Sequence, residues 1–531
     1  MTAGVISQPA TRQKGEIRLI NYTISDVIHD IPKRASKAHH RKVVNNSAAK
    51  YFRAGARSAP PSTRSADKHP TRVYLGKPAV AAVSDQKSER TMPHEGLRIV
   101  STPVSASAAG RQKTYTTPMQ NEPEYQCFVG VDWAKDHHDI VVLDASGQCL
   151  GELTVSHSAE GWRELAERLR PYKNIALCVE SGHWLAIEQL LNLPAVIYVV
   201  PARSAAAYRL RKAPSGAKSD RFDAWSLAIA LRSEHADWTP IQQPDELTHR
   251  LRLLCRDQVA MIEQRTCLIN QLQAALREYY PAALEAFDTW TLPSAWAFIE
   301  RFPDPVTLTR AGRRNWEKFL HTHRLARASV YEKRMEILAG ASQLMGSSGV
   351  AQAKRLLALS LVKMLRCLSQ QIAAYQQEIN TLFAQHPDHH IFASLPGGGI
   401  KLAPRLLAEI GADRSIFASA QDLQCYAGTA PISFQSGQIH RVQVRHACNR
   451  HLRAAIHLWV NQTHLRCPWA NVYYRALRER GKSHSTALRC LGQRWLKILF
   501  RMWQNRTTYA PDLHTSNQLK HGSWLLKLQP K

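Results

Sequence analysis

Four acidic residues have the setting of a metal-binding carboxylate cluster. Asp132 ends a short apolar run, CFVGVDW, and Glu180 ends a second one within NIALCVESG. Asp220 and Asp223 lie three residues apart in KSDRFDAWSLAIA, a predicted helix, and this spacing places both side chains on one helix face. Acids at the ends of two adjacent strands, with a helical pair above them, would form a single cluster.

Such a cluster suits the cleavage of phosphodiester bonds. Cleavage develops negative charge on the attacking and leaving oxygens, and two Mg²⁺ ions about 4 Å apart can stabilise both. Mg²⁺ prefers carboxylate oxygen to thiolate or imidazole. Any one of these acids alone is more often a turn residue, a helix cap or part of a solvated face, so the prediction of two Mg²⁺ ions depends on all four together. The neighbouring residues are interpreted as loop or strand surface: Asp136, His137, His138 and Asp139.

The elements around the acids predict a mixed α/β domain over residues 123–244. Three strands come first, in CFVGVDW, IVVLDASGQCLG and ELTVSH, and strands in NIALCVESG and AVIYVVPARS then alternate with helices. Hairpin strands followed by strand–helix alternation predict a mixed sheet with helices on its faces. This order is the one that RNase-H-like nucleases use, so an RNase-H-like fold is predicted.

Residues 245–385 are predicted to form a helical coiled-coil region. One series recurs every seven residues, and an interleaved series contains Leu251 and Leu272 but is interrupted by Gln258 and Arg265. The first series is Leu247, Leu254, Met261 and Leu268. A second seam alternates spacings of three and four: Leu365, Leu368, Ile372, Tyr375, Ile379 and Leu382. The two helices could pair within one chain or join two chains.

A mostly α-helical C-terminal domain is predicted over 386–506, followed by a loose tail over 507–531. Its element LPGGGIKLAPRLLAEIG resembles a helix-hairpin-helix, in which Gly397, Gly398 and Gly399 would expose backbone N–H groups at a helix N-terminus. With Lys401 and Arg405 beside it, this turn could hold a phosphate backbone without reading sequence. A plain glycine-rich turn is the equal alternative.

Basic and aromatic residues interleave beyond this turn. Arginines flank or line the next helices: Arg441, Arg445, Arg450, Arg453, Arg475, Arg478 and Arg480. Trp459, Trp469 and Tyr473 lie among them, and such a mixture suits nucleic-acid contact by charge and stacking. The alternative is a solvated helix face with tryptophan in the core. We expect Trp459 in the core and Arg445, Arg450 and Arg453 on nucleic acid.

The overall composition predicts a polyanionic partner and a reducing compartment. The formal net charge of the 531 residues is +28, with a pI of about 9.9. No run of 18 apolar residues predicts a membrane span. The ten cysteines form no CxxC pair, which argues against a zinc site or a disulfide framework and favours the cytoplasm. Residues 1–122 are interpreted either as a disordered basic tail or as an upstream extension of the reading frame before Met119.

Four of these segments together resemble a known family. GVDWAKDHHDIVVLD, CVESGHW and KSDRFDAWSLA are similar to the DEDD transposases of insertion sequences, the IS110 family, and LPGGGIKLAPRLLAEIGADRSIFASAQDLQCYAGTAPISFQSGQ resembles its second domain. The resemblance implies a RuvC-like domain with metal ligands at Asp132, Glu180, Asp220 and Asp223. It also implies a structured guide RNA and a nucleophilic serine, which GTAPISFQSGQ matches at Ser436, with Ser433 as the nearby competitor.

A serine that attacks a phosphodiester forms a covalent phosphoserine, which conserves bond energy for rejoining. Without the resemblance, a Ser-Gly pair would be an ordinary turn. Two alternatives to a transposase stay open. One is a RuvC-like structure-selective endonuclease that uses water in place of Ser436, and the other is a decayed, non-enzymatic nucleic-acid-binding protein.

Ser436 lies about 200 residues after Asp223, so the two must meet by folding or across subunits of a homo-oligomer, a dimer or tetramer. We favour assembly across subunits. A mixture of Ser436→Ala and Asp132→Ala chains is then expected to regain the strand-transfer activity that each lacks alone. A mixture that stays inactive would remove the support for assembly in trans.

Overall fold

The computed structural model describes residues 125–180, 184–216 and 218–523. These residues divide into two compact units, one ending at Gln242 and the other beginning at Gln243. The first unit is a mixed α/β domain, and the second is mostly helical. The predicted basic extension, residues 1–122, lies outside the described residues.

The α/β unit contains a five-stranded sheet in the order β3-β2-β1-β4-β5. Strands β1 and β2 are antiparallel, as are β2 and β3, whereas β4 runs parallel to β1 and β5 parallel to β4. The strands are β1 (Cys127–Trp133), β2 (His137–Asp144), β3 (Cys149–Ser156), β4 (Ile175–Glu180) and β5 (Ala195–Val200). The predicted mixed sheet is therefore confirmed.

Helices cover both faces of this sheet: α1 (Ala159–Leu169), α2 (Trp184–Leu191), α3 (Ala202–Lys212) and α4 (Asp220–Glu234). Successive strand residues point to opposite faces, so each strand contributes to two cores. Phe128, Val141 and Cys178 face α4 and pack with its Leu227, while the alternate residues pack on the other face with Leu165. Burial on both faces explains why these strands are almost continuously apolar.

Helix α4 lies unusually close to β1 because Gly130 has no side chain. A Cβ atom on Gly130 would stand 2.0 Å from the carbonyl oxygen of Ala224 and 2.6 Å from the amide nitrogen of Ala228. Both atoms belong to the backbone of α4, so no side chain could turn away to make room. Because Asp132 is two residues beyond Gly130, it lies on the same face of the sheet.

The second unit is built on two long antiparallel helices with five shorter ones between them. These are α5 (Glu246–Tyr279), α6 (Pro281–Ala286), α7 (Pro293–Arg301), α8 (Pro305–Ala311), α9 (Arg313–Thr322), α10 (Ala328–Ala339) and α11 (Ser348–Gln385). Ion pairs join opposite ends of the long helices, Arg250 to Glu378 and Lys354 to Glu278. The two predicted helices therefore pair within the chain.

The buried seam of α5 is offset from the first predicted series. Buried positions spaced three and four apart form two groups, with eleven residues from Gln258 to Ile269: Leu251, Cys255 and Gln258, then Ile269, Leu272, Leu276 and Tyr279. Leu247, Leu254, Met261 and Leu268 flank the seam and are half-buried. Gln258 is fully in the seam, where its amide donates to the carbonyl of Ile372 and to the side chain of Gln376 on α11. A coiled-coil supercoil stays a prediction.

Helix α11 is the one described helix with the length and apolar composition of a membrane span. Leu361, Val362 and Leu365 on it are nonetheless buried in a core shared with α5. Arg355 and Arg366 on the same helix form ion pairs with acids of the intervening segment. These contacts are those of a helix packed inside a folded unit.

The chain ends in a helical layer with a small hairpin: α12 (His389–Ala393), α13 (Gly399–Ile410), α14 (Ala420–Tyr426), β6 (Ile432–Ser436), β7 (Ile439–Gln443), α15 (Arg450–Arg466), α16 (Pro468–Glu479), α17 (His484–Asn505) and α18 (Pro511–Lys520). Trp459, Trp495 and Trp503 are completely buried at its centre. The loose tail predicted after residue 506 is wrong over α18, because Tyr509 beside it packs against Trp495 and accepts a hydrogen bond from Trp469.

A buried ion pair fixes α13 on α5. The Glu409 side chain is 4% exposed and accepts two hydrogen bonds from Arg256, at 2.7 and 2.8 Å. Asn449 donates a third bond to the same carboxylate at 2.8 Å. The burial of Glu409 is tolerated because its charge is paired and hydrogen-bonded. Removal of either Glu409 or Arg256 would leave an uncompensated charge.

Gly130→Ala is expected to destabilise the α/β unit by about 3 kcal/mol, because the added methyl group must displace the backbone of α4. Hydrogen exchange in the peptides of β1 and α4 of the full chain measures the loss. Gly151→Ala on β3 is the matched control, since no heavy atom lies within 4 Å of its new Cβ. Equal exchange in the two variants would contradict the close contact.

Candidate active site

Two of the predicted acids stand at one edge of the sheet. Val131 of β1 is paired with Val179 of β4, so the residues that follow, Asp132 and Glu180, lie side by side at the carboxyl ends of parallel strands. Both residues are half-buried. Alternation along the strands puts both carboxylates on the face that α4 covers.

Helix α4 supplies the other two acids from its first turn. Ser219 caps this helix, since its hydroxyl accepts a hydrogen bond from the amide of Phe222 at 3.2 Å. The Asp220 side chain is 53% exposed, whereas that of Asp223 is only 12% exposed. The positive end of the helix dipole favours carboxylates in this turn.

Three of the acids act electrostatically on Asp132. Burial raises the pKa of Asp132 to about 7, and the charges of the other acids add to the increase in the order Asp223, Asp220 and Glu180. Lys218 opposes them and lowers the pKa of the same carboxyl. The structure therefore brings together the four residues that the sequence placed in one cluster, while their role as metal ligands stays a prediction.

Asp223 has one satisfied and one unsatisfied oxygen. Its Oδ2 accepts a hydrogen bond from Arg209 of α3 at 3.0 Å and lies 4.0 Å from the ammonium of Lys218. Its Oδ1 is buried and has no hydrogen-bond partner. A buried carboxylate oxygen without a partner is costly, and a hard cation coordinated by oxygen would satisfy it. These residues could hold a divalent ion.

Sequence reasoning missed Asp139, which lies directly opposite Asp132 in the β1–β2 register. Together with His137 and Asp220 it forms the one metal-type group in the described residues whose ligand atoms all lie within 4.8 Å of one another. The four predicted acids are more widely spaced than this. Strand alternation was the signal that could have found Asp139, because Val141 and Leu143 face α4 as it does.

The interpretation of His138 as surface is wrong. This side chain is completely buried on the opposite face of the sheet, beside Trp162, and its Nε2 is hydrogen-bonded to His157 Nδ1 at 3.0 Å. Burial, with smaller contributions from His157 and His137, lowers the pKa of His138 to about 4. The imidazole is therefore neutral near pH 7 and serves packing on that face.

Ser436 lies in the helical unit, at the end of β6 and next to the hairpin turn. It is exposed, as are all ten residues of β6 and β7, and Gly437 after it has φ +55°. Ser436 pairs with Ile439 across the turn. Ser433 points to the other face of the hairpin because the two serines are three residues apart on one strand. The structure thus presents the two candidate serines on opposite faces.

The glycine-rich turn packs closely against α15, whether or not it also binds an anion. Gly397 has φ +76°, and a Cβ there would lie 2.9 Å from Gln462 Cβ on α15. The amide of Gly398 donates to the carbonyl of Leu395 and so is not free for a ligand, contrary to prediction. Gly399 has open space around it, Lys401 is exposed, and Arg405 is buried.

The prediction that the interleaved aromatic residues stack on nucleic acid is wrong, whereas the predicted core position of Trp459 is confirmed. Trp459 is 0% exposed, and Trp469 and Tyr473 are each 8% exposed within the C-terminal core. The predicted arginines lie outside this core, with Arg450 exposed and Arg445 and Arg453 half-buried. Any contact of these helices with a polyanion would therefore depend on charge.

Comparison with known proteins matches two parts of the chain to transposases. A family model described as a transposase of the DEDD type of IS110 matches residues 129–281, and a model for transposases of the IS116/IS110/IS902 family matches residues 389–475. The first match contains all four acids, and the second contains the glycine-rich turn and Ser436.

Full-length relatives agree with both models. The chain is 32% identical over 400 residues to "Mini-circle putative transposase for IS117" of Streptomyces coelicolor, which covers 72% of this chain and 95% of the relative. It is 29% identical to the IS116 protein of Streptomyces clavuligerus, over 72% of this chain and 96% of the relative. It is 26% identical to the IS900 protein of Mycobacterium paratuberculosis, over 73% and 98% respectively.

Asp132→Asn is expected to stabilise the protein in the absence of divalent ions. The pKa of Asp132 in the folded protein is about 7, against an ordinary value of 3.8 for an aspartate, so wild-type stability falls as the pH rises between these two values. The variant should gain about 1–2 kcal/mol at pH 8, after discounting for solvent screening, and almost nothing at pH 4. Thermal unfolding at both pH values in EDTA measures this, with the exposed Asp136→Asn as control. A gain that does not depend on pH would contradict the repulsion.

Proposed function

The chain belongs to the IS110 family of transposases, and we propose that it cuts and rejoins DNA with a Mg²⁺-dependent carboxylate site and the hydroxyl of Ser436. The observation that carries the proposal is the convergence of three further acids on Asp132, in the segment that the DEDD-type family model matches. A transposase acts on DNA, so element ends and target DNA are its substrates. The net charge of +28 suits this partner.

An RNase-H-like, RuvC-like domain is the fold that we assign to residues 125–242. Its support is the strand order β3-β2-β1-β4-β5, with an antiparallel meander followed by parallel strands. In such a sheet the acids at the ends of β1 and β4 stand beside each other, and a helix after β5 can cover them. Helix α4 has that position against β1.

Asp132, Glu180, Asp220 and Asp223 are the residues that we propose to hold Mg²⁺, with two ions expected. When bound, the ions would stabilise charge on the attacking and leaving oxygens of a phosphodiester. The unsatisfied Oδ1 of Asp223 supports the assignment, as does the pKa of Asp132, which is raised by burial and by the charges of the other three acids. Asp139, which is grouped with Asp220, would add a further carboxylate beside this site.

Arg209 and Lys218 form ion pairs with carboxylates of the acidic cluster. The guanidinium of Arg209 donates a hydrogen bond to Oδ2 of Asp223 and leaves Oδ1 without a hydrogen-bond partner. The ammonium of Lys218, 4.0 Å from both Asp220 and Asp223, keeps these acids near each other when no cation is bound. We propose that Lys218 moves to a phosphate oxygen of the substrate, since its side chain is 61% exposed.

Ser436 would form the covalent link. Its Oγ attacks the phosphorus, an Oγ–P bond forms as the bond from phosphorus to the leaving strand breaks, and the serine proton ends on the leaving oxygen as a free hydroxyl. The attack of another strand's hydroxyl on this phosphoserine reverses the exchange, so rejoining needs no external energy source. The exposed turn at Ser436 and Gly437 leaves the hydroxyl accessible to a DNA backbone.

Two further parts of the proposal come from the family resemblance and the composition. A structured guide RNA would select the DNA partners, and a homo-oligomer, a dimer or tetramer, would bring the catalytic residues together. We place the protein in the cytoplasm, where its ten free cysteines would stay reduced.

A covalent protein–DNA adduct tests the nucleophile. Wild-type protein with Mg²⁺, guide RNA and labelled element-end DNA is expected to give an SDS-stable adduct. Ser436→Ala should lose the adduct and strand transfer by about 10³-fold or more, because nothing replaces the attacking group. Ser433→Ala, on the other face of the hairpin, is the matched control and should retain both activities.

The same assay separates the alternatives. Mg²⁺-dependent cleavage that continues in Ser436→Ala without any adduct would identify a hydrolytic endonuclease and contradict the serine mechanism. DNA binding without cleavage in the presence of any divalent metal would identify a non-enzymatic nucleic-acid-binding protein. Loss of activity in Asp132→Asn but not in Asp136→Asn is expected if the acidic cluster holds the metal.

A further inference from the structure

A cavity of about 550 Å³ lies in the helical unit between the glycine-rich turn and the middle of α5. One side consists of Gly397–Gly399 and the first turn of α13, and the other sides come from Arg265 and Thr266 on α5 and from Gln462 and Arg466 on α15. Its volume is within the range of roughly 300–1,000 Å³ that small-molecule sites occupy.

The cavity is strongly cationic. Four basic side chains line it from three helices, and no Asp or Glu is among its lining residues: Arg265, Lys401, Arg405 and Arg466. Among the described ion pairs, none involves any of these four. Unneutralised positive charge that converges on a concave site indicates an anionic ligand.

Arg405 and Arg265 have unused donors at this site. Arg405 is 9% exposed and donates to Gln258 from Nη2 at 2.8 Å, while its Nε is buried without a partner. The Nε of Arg265 is likewise buried and unpartnered. Burial lowers the pKa of both guanidinium groups, although neither approaches neutrality at physiological pH. A buried charge without a counter-charge is costly unless a ligand supplies one.

This cavity also accounts for the two polar positions that interrupt the α5 seam. Gln258 holds the guanidinium of Arg405, and Arg265 lines the cavity one heptad later. Apolar residues at both positions would pack the seam better, so their polar character is expected to serve a ligand. Apolar side chains from the same helices complete the lining: Ile262, Ile400, Leu402 and Leu458.

We propose that this cavity binds one nucleotide of a nucleic-acid strand, with its phosphate at Arg265, Arg405 and Lys401 and its base or sugar against the apolar side chains of the lining. The inference rests on the proposed function, since it takes nucleic acid as the partner, and it adds Arg265 and Arg466 to the predicted contacts. The cations supply the charge for a phosphodiester, and Thr266 and Gln462 supply neutral hydrogen-bonding groups.

The test measures binding in EDTA, so that its outcome does not depend on cleavage. Fluorescence anisotropy follows a short labelled single-stranded DNA, and the RNA of the same sequence, across a range of salt concentrations. Arg265→Gln is expected to weaken binding about tenfold and to reduce the salt slope by about 0.7, the value for one lost phosphate contact on a single strand. Arg265→Lys should retain most of the affinity because it keeps the charge.

Arg314→Gln, at an exposed position of α9, is the matched control for the loss of one positive charge. Equal salt slopes in Arg265→Gln and Arg314→Gln would overturn the proposal, provided that both variants melt as the wild type does. A loss confined to the DNA or to the RNA identifies which strand enters the cavity, and either result supports the proposal.

A free nucleoside monophosphate separates a nucleotide site from a bare anion site. It should raise the melting temperature of the wild-type protein more than inorganic phosphate does, and the difference should disappear in Arg265→Gln. Equal stabilisation by the two ligands would overturn the nucleotide assignment. Failure of the adduct assay with Ser436, by contrast, would leave this binding result unchanged.

Discussion

The contact between Gly130 and the backbone of α4 sets the geometry of the acidic site. With no Cβ at that position, α4 lies directly on β1, and Asp223 comes above the strand end that carries Asp132. The carboxylates would otherwise separate, because the charges of the other three raise the cost of ionising Asp132. The apolar residues of α4, including Leu227 and Leu231, supply the burial that holds them together.

This packing arranges the acids for chemistry but lowers the stability of the α/β unit. Arg209 and Lys218 offset part of the repulsion, yet one oxygen of Asp223 stays unsatisfied and the pKa of Asp132 stays near 7. A bound cation would relieve both. The site is thus organised in advance by its core, so little reorganisation would accompany ion binding.

The sequence predicted the sheet and the four acids well because both depend on local patterns. Short, nearly continuous apolar runs predict buried strands, and a spacing of three on a helix predicts a shared face. Asp139 and His138 were misread as surface although strand alternation assigns their faces, while the β1–β2 register, which pairs Asp132 with Asp139, puts Asp139 beside the acids. The seam of α5 was misplaced for a related reason: Leu247 and Leu251 are equally apolar, and only the position of α11 decides which is buried.

The polar residues within that seam show how the long helices and the C-terminal layer depend on one another. Gln258 bonds to α11 on one side and to Arg405 on the other, and Gln376 of α11 continues the network to the carbonyl of Ile400. Arg256, two residues before Gln258, is paired with the buried Glu409 of α13. The glycine-rich turn is therefore held by side chains of the helical pair as well as by its own backbone. Because these bonds are buried and directional, they fix one register of α13 on α5, which apolar packing alone would specify less strictly.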